Sequence, residues 1–461
     1  MEKKPRWDWI GILIPLLILL AAASGGAGAQ DTENVGLVAL GKALFFDPNL
    51  SVNGTQSCAA CHGPEAGFTG PDALVNATTV VYLGALEDRF GGRKPPASAY
   101  AGHSPVLYYD EENEEWAGGM FWDGRATGWT YGDPLMEQAM GPFLNPLEQA
   151  MPNARLLCQR VSKADYAVEF LAIWGPDALN CAKDAQGAYE RIGASVAAYE
   201  RSHEVNPYSS KFDLFWDTAI AAGKDVTKIK WSGMGGGGMG GGGMGGGGST
   251  DPHRWQNYRG LGLTDQELQG LAAFNDPNRA DCAACHSLEP GPDGYPLFTD
   301  FRYDNIGMPK NPDNPFYTMP QKWNPDGLEW VDKGLGGYLM NAGYAPEVYE
   351  PELGKFKVPT LRNVDLRPSP DFVKAYGHNG YFKSLEELVH FYAWRGMMTS
   401  GCGGMGGGGM GGGGMCGGMG MELFPPPEVE LNAATMKHFG MMDQANIVAF
   451  LKTLSDGYFE R

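Results

Sequence analysis

The sequence predicts a mainly α-helical chain in two halves, with long loops and two Gly/Met-rich inserts. Three observations carry that reading: helical runs opened by capping pairs, a scarcity of alternating strand patterns, and one Cys-x-x-Cys-His word in each half.

The elements follow in chain order. Lys3, Lys4 and Arg6 precede the apolar run Ile10 to Ala23, and Ala27-Gly28-Ala29 supplies small residues for cleavage. This predicts an export leader over 1–29, a mature chain from Gln30 and a periplasmic location. The apolar run is short for a membrane span, and an uncleaved leader would instead leave a membrane tether. Residues 30–232 form the first expected domain, with an amphipathic helix over Ala188 to Glu204. Met followed by four Gly repeats through 233–248, a composition that buries no core and reads as a flexible linker.

The second expected domain is 249–461. Thr264 with Glu267, and Ser384 with Glu387, form capping pairs ahead of Leu268, Leu271, Leu388, Val389 and Phe391. A second Gly/Met insert fills 401–420, and Gln444 to Leu454 reads as the closing helix. Thioether sulfurs suit Cu(I), so copper binding stands beside the linker reading of the inserts. Export permits disulfides, and Cys158–Cys181 and Cys402–Cys416 are the pairings expected among the four cysteines outside the two words.

The 461 residues give room for sizeable cores. The formal net charge of −19 argues against a nucleic-acid partner, which needs a basic footprint, and suits a soluble protein that meets basic partners.

The chemistry lies in Cys58-Ala59-Ala60-Cys61-His62 and Cys282-Ala283-Ala284-Cys285-His286. Cys-x-x-Cys-His reads as c-type haem attachment: two thiols add across the haem vinyl groups and the adjacent His binds iron. The immediate His in both copies and the lack of clustered spare ligands argue against zinc. Two covalently bound haem c groups are therefore expected, one in each of two cytochrome c-like domains. The sixth iron position has many candidates, including His103, His203, His253, His378, His390, His438 and Tyr392, and pattern alone does not choose among them.

Further blocks carry a resemblance. Leu40-Gly41-Lys42-Ala43-Leu44-Phe45-Phe46-Asp47-Pro48, Phe121-Trp122-Asp123-Gly124-Arg125-Ala126, Glu137-Gln138-Ala139-Met140-Gly141-Pro142, Val358-Pro359-Thr360-Leu361-Arg362-Asn363-Val364 and His378-Asn379-Gly380 resemble the bacterial dihaem cytochrome c peroxidase and MauG family. The resemblance implies a peroxidase that reduces hydrogen peroxide with electrons from a small cytochrome or a copper protein (a cupredoxin). It implies that Trp122 lies between the haems and that Gln138 and Glu148 form the polar pair on the distal side of the first haem. There a carboxylate performs general acid–base work on peroxide.

Two departures matter. The stretch from Arg93 to Tyr100 lacks the family's blocking His, and His103 stands where the family has an Asn associated with calcium. This places both reductive activation and the calcium site in question. Tyr392 stands where typical peroxidases have an axial Met, as in MauG-like members, with Met436 and Met441 as the other candidates. A tyrosinate favours ferric and higher states. The alternative functions are MauG-like oxidation of a protein side chain and non-catalytic electron transfer.

Overall fold

A computed structural model describes residues 27–231, 251–397, 424–434 and 436–460, without the side chains of 27–34 and 396–397. Residues 1–26 of the leader, both Gly/Met inserts and Cys402–Cys416 lie outside the described residues.

The first half contains α1 (Ala27–Phe46), the short α2 (Ala73–Ala77), α3 (Pro134–Leu144), α4 (Ala154–Val161), α5 (Ala167–Trp174) and α6 (Ala185–Glu200). Asp72, Asp133, Asn153 and Asp184 cap α2, α3, α4 and α6 through side-chain acceptors. The expected helix over 188–204 thus starts and ends earlier, because Asp184 supplies its cap. Next come α7 (Lys211–Ala221), α8 (Asp265–Asn275), α9 (Gly334–Asn341), α10 (Pro346–Tyr349), α11 (Leu385–Met397) and α12 (Met441–Leu451). Thr264 and Glu267 close a reciprocal capping box on α8. On α11, Glu387 N–H donates to Ser384 Oγ at 3.2 Å, but the Glu387 carboxylate returns to Lys383 N–H. The closing helix ends at Leu451 and continues as a 3-10 turn over Lys452–Leu454.

Strand structure among the described residues is confined to two antiparallel pairs. One pairs β1 (Tyr108–Asp110) with β2 (Glu115–Ala117), and the other β3 (Tyr303–Asp304) with β4 (Phe356–Lys357). An Ala117–Arg302 bridge links them.

Each half is organised by one close helix crossing. A Cβ on Gly41 of α1 would lie 1.9 Å from the Ser195 carbonyl oxygen of α6. A Cβ on Gly270 of α8 would lie 1.9 Å from the Asn446 carbonyl oxygen of α12. Only glycine permits either approach. The first core gathers Leu44, Phe45, Phe143, Ile192 and Tyr199. The second gathers Phe212, Phe215, Leu271, Phe274, Phe298 and Phe450. Each such side chain contributes roughly 1.5–3 kcal/mol on burial.

The second core includes Phe212, Phe215, Trp216 and Ala219 of α7, together with Val226 and Ile229. These residues precede the boundary expected at 232. Packing therefore divides the chain earlier than the Gly/Met insert suggests, because α7 buries its apolar face against the later helices. Asp456 ties the halves further, accepting from Tyr100 Oη at 2.7 Å and from Asn363 Nδ2 at 2.9 Å. The expected Cys158–Cys181 disulfide is present and fastens α4 to the turn before α6. Among the described residues no helix is long and apolar enough to cross a membrane.

Candidate functional site

Both Cys-x-x-Cys-His words fold as one 3-10 turn, Cys58–Ala60 and Cys282–Ala284. The His62 amide donates to the Cys58 carbonyl at 3.0 Å and the His286 amide to the Cys282 carbonyl at 2.9 Å. The four thiols are unpaired. Each imidazole then meets the same backbone feature. His62 Nδ1 lies 3.1 Å from the Phe68 carbonyl oxygen, and His286 Nδ1 lies 2.9 Å from that of Phe298. A carbonyl only accepts, so Nδ1 carries the proton in both rings and Nε2 keeps its lone pair for a metal.

The correspondence extends to the loops behind the rings. Thr69 Oγ1 donates to the Pro95 carbonyl at 2.6 Å and Thr299 Oγ1 to the Val358 carbonyl at 2.7 Å. The backbones of Pro96 and Pro359 lie against the two imidazoles. Burial pushes the His62 imidazole down to about 4 and lowers that of His286. Both rings are thereby held neutral, the form that ligates a metal.

Around the second word lies a cavity of about 310 Å³ whose wall includes Cys282, Cys285, His286, Tyr392 and Met436. Burial raises the Tyr392 phenol well above its ordinary range, with the Cys285 and Cys282 thiols adding to the effect. Tyr392 and Met436 therefore share a cavity with His286, whereas Met441 is 81 % exposed. His378 lines the cavity too; its Nε2 is buried without a protein partner, and its ring stacks on Phe356 with centroids 3.5 Å apart. Three other histidines are engaged elsewhere: His390 Nδ1 with Gln444 Oε1, His438 Nδ1 with the Ala393 carbonyl, and His103 Nε2 with Asp293 at 2.8 Å. A calcium ion near His103 would need other donors, since the adjacent Ser104 hydroxyl already accepts from Lys357 Nζ.

Trp122 reaches the same cavity from the first half. Its indole N–H donates to the Lys94 carbonyl at 2.8 Å, and its own carbonyl accepts from the Lys357 amide at 2.9 Å. Lys94 and Lys357 open the matching loops that run on to Pro96 and Pro359, so Trp122 bridges the backbones behind the two histidines. Arg93 fixes the next residue, pairing with Asp123 at 2.6 Å and with Asp332 at 2.7 Å.

Gln138 is buried on α3, and Glu148 follows that helix. Glu148 Oε2 accepts from Asn145 Nδ2 at 2.8 Å. Burial raises its carboxyl, which Arg125 opposes. Glu148 is close enough to Cys61 to raise its thiol, after burial itself. The carboxyl thus stands near the first word, within electrostatic reach of both its thiols.

Several buried groups have no counterpart in the sequence reading. Lys94 and Lys374 are buried and Lys357 is half-buried, with Nζ donating to carbonyl and hydroxyl oxygens. Glu200 is buried, with one carboxylate oxygen lacking a partner, and burial lifts its carboxyl to about 8. An alignment of the two halves on their Phe-Thr and Lys-x-Pro segments would have flagged Lys94 and Lys357.

The donor set suits c-type haem at both words: paired thiols, a neutral proximal imidazole oriented through Nδ1, and an interior cavity with an orphaned His378 nitrogen in its wall. Comparisons with known proteins agree. A model of the di-haem cytochrome c peroxidase family matches residues 36–219. Methylamine utilization protein MauG of Paracoccus denitrificans is 31% identical over 386 residues, 83% of this chain and 80% of that one. Cytochrome c551 peroxidase of Nitrosomonas europaea is 26% identical over 361 residues, covering 78% and 74%. The crystal structure of the diheme peroxidase BthA from Burkholderia thailandensis superposes with a TM-score of 0.62 at 26% identity, covering 92% of this chain and 86% of that one.

Proposed function

The chain belongs to the di-haem cytochrome c peroxidase family, whose members are oxidoreductases, and on that premise we propose that it reduces hydrogen peroxide to water with electrons from a small cytochrome or cupredoxin. The reaction consumes two electrons and two protons for each peroxide and yields two waters.

The observation that carries this reading is Glu148, a half-buried carboxyl near the first word whose Oε2 is held by Asn145. A c-type haem bound at His62 supplies the iron at which peroxide is reduced. Glu148 Oε1 takes the proton from one peroxide oxygen and returns it to the other, with Oε2 fixed by the amide of Asn145. Gln138 orients the peroxide through its side-chain amide. Trp122 offers an aromatic ring in the gap between the two haem sites. Cys282, Cys285 and His286 would hold a second haem, which would supply a centre for electron entry from the donor. Export to the periplasm, with the leader cleaved or kept as a tether, belongs to the same proposal.

Tyr392 favours a second reading, MauG-like oxidation of a protein side chain. A phenolate ligand would disfavour the ferrous state of the second haem and suit shared oxidising equivalents.

Steady-state peroxide reduction with a reduced small cytochrome tests the first reading. Glu148→Gln should lose about 100-fold or more in kcat, the usual scale of general acid–base catalysis. Full turnover in that variant would overturn the role of Glu148. Oxidation of a candidate protein without turnover of the cytochrome would favour the second reading.

A further inference from the structure

Matching contacts in the two halves allow a comparison of what stands behind each proximal histidine. The glycine crossings pair Ser195 with Asn446 and Tyr199 with Phe450: the Tyr199 and Phe450 Cβ atoms each lie 2.9 Å from the Cβ that Gly41 or Gly270 lacks. One residue on, Glu200 corresponds to Leu451. The loops pair Pro96 with Pro359, and two residues on, Ser98 corresponds to Leu361. Leu361 and Leu451 both line the cavity around His286, which is apolar at these two points.

In the first half the corresponding pair is polar and connected. Ser98 Oγ lies 3.1 Å from His62 Nδ1. The Phe68 carbonyl obliges Nδ1 to carry the proton, so Nδ1–H is shared between that carbonyl and the serine oxygen. The Ser98 hydroxyl is then free to donate onward, and the Glu200 carboxyl is the acidic group close enough to feel it. Glu200 is 2 % exposed, and its Oε2 has no partner. The neighbouring Arg201 is spent on Asp133. A buried carboxyl with an unmade hydrogen bond is destabilising, and apolar side chains serve at the same two positions of the other half.

We propose that Glu200 and Ser98 form a relay that polarises His62, making it a stronger electron donor to its metal than His286. Once ionised, Glu200 draws on Nδ1–H through Ser98 and raises the basicity of Nε2, as outer-sphere partners of metal-bound histidines do; burial lifts its carboxyl to about 8, so the full effect belongs above that pH. Glu200 is a positioning residue here and touches no substrate. The inference rests on His62 binding haem iron.

The test uses the full-length holoprotein. Haem mass on the peptide containing Cys58 and Cys61 is checked first, and its absence would overturn haem binding itself. Potentiometry and resonance Raman of the ferrous protein are then recorded above pH 8, where Glu200 is ionised, for wild type, Glu200→Gln, Ser98→Ala and Ser98→Thr. Glu200→Gln, nearly isosteric, should shift the reduction equilibrium of the first haem toward ferrous by on the order of tenfold, equivalent to about 59 mV for one electron. It should also lower the iron–histidine stretching frequency. Ser98→Ala should do the same, Ser98→Thr should restore wild-type values, and the second haem should stay unchanged throughout. Wild-type potential and stretch in Glu200→Gln, with only thermal stability altered, would overturn the proposal. A shift in Glu200→Gln that Ser98→Ala does not reproduce would overturn the relay through Ser98.

Discussion

The indole N–H of Trp122 donates to the backbone carbonyl of Lys94 at 2.8 Å. Trp122→Phe keeps an aromatic ring and removes that bond. The expected outcome is a stability loss of about 1 kcal/mol in urea denaturation, with slower peroxide turnover on reduced cytochrome. A destabilised variant with wild-type turnover would take Trp122 out of the electron path.

Tyr392 shares its cavity with His286. In Tyr392→Phe the phenol oxygen disappears while the ring remains. The electron paramagnetic resonance signal of the second haem should change and that of the first should not. An unaltered spectrum would remove Tyr392 as a ligand and turn attention to Met436, which lines the same cavity.

Lys357 gives a pH signature. Burial pulls its ammonium down from 10.5 to about 7. Between those values the unfolded chain binds the proton that the folded chain has lost, so this residue makes stability rise with pH across that window. Lys357→Met should flatten the rise by on the order of a few kcal/mol. The comparison is of unfolding free energies for the two proteins at several pH values between neutral and alkaline; parallel curves would refute the assignment.

Arg362 and Asp213 form an ion pair at 2.6 Å with both side chains fully buried. Arg362→Met strands the Asp213 carboxylate and should cost about 3–5 kcal/mol in chemical denaturation. Adding Asp213→Asn removes the stranded charge and should recover part of that loss. A single variant as stable as wild type would show that the pair is dispensable.

Much of this architecture is written locally and is readable from the chain. The Cys-x-x-Cys-His turns, the Thr264 and Glu267 capping box and the Cys158–Cys181 pairing depend on near neighbours in sequence. The placement of α7 is different: Phe212 and Phe215 could bury against either half, and only tertiary packing assigns them to the second. The relation between the halves was hidden by loop length. Phe68 follows His62 by 6 residues, whereas Phe298 follows His286 by 12, so the matching Thr and Pro anchors fall out of register. Glu200 looks like an ordinary helix-end acid until its surroundings are seen.

The position of α7 has a practical bearing on dissecting the protein. A fragment stopped at the first Gly/Met insert would carry Phe212, Phe215 and Trp216 as an oily helix with nothing to cover it, and its complement would begin with a hole in its interior. Cutting ahead of Ser209 would spare that helix but part Asp456 from the Tyr100 hydroxyl, which donates to it at 2.7 Å. Single-centre versions of this molecule are better made by silencing one attachment word in the intact chain than by scissors.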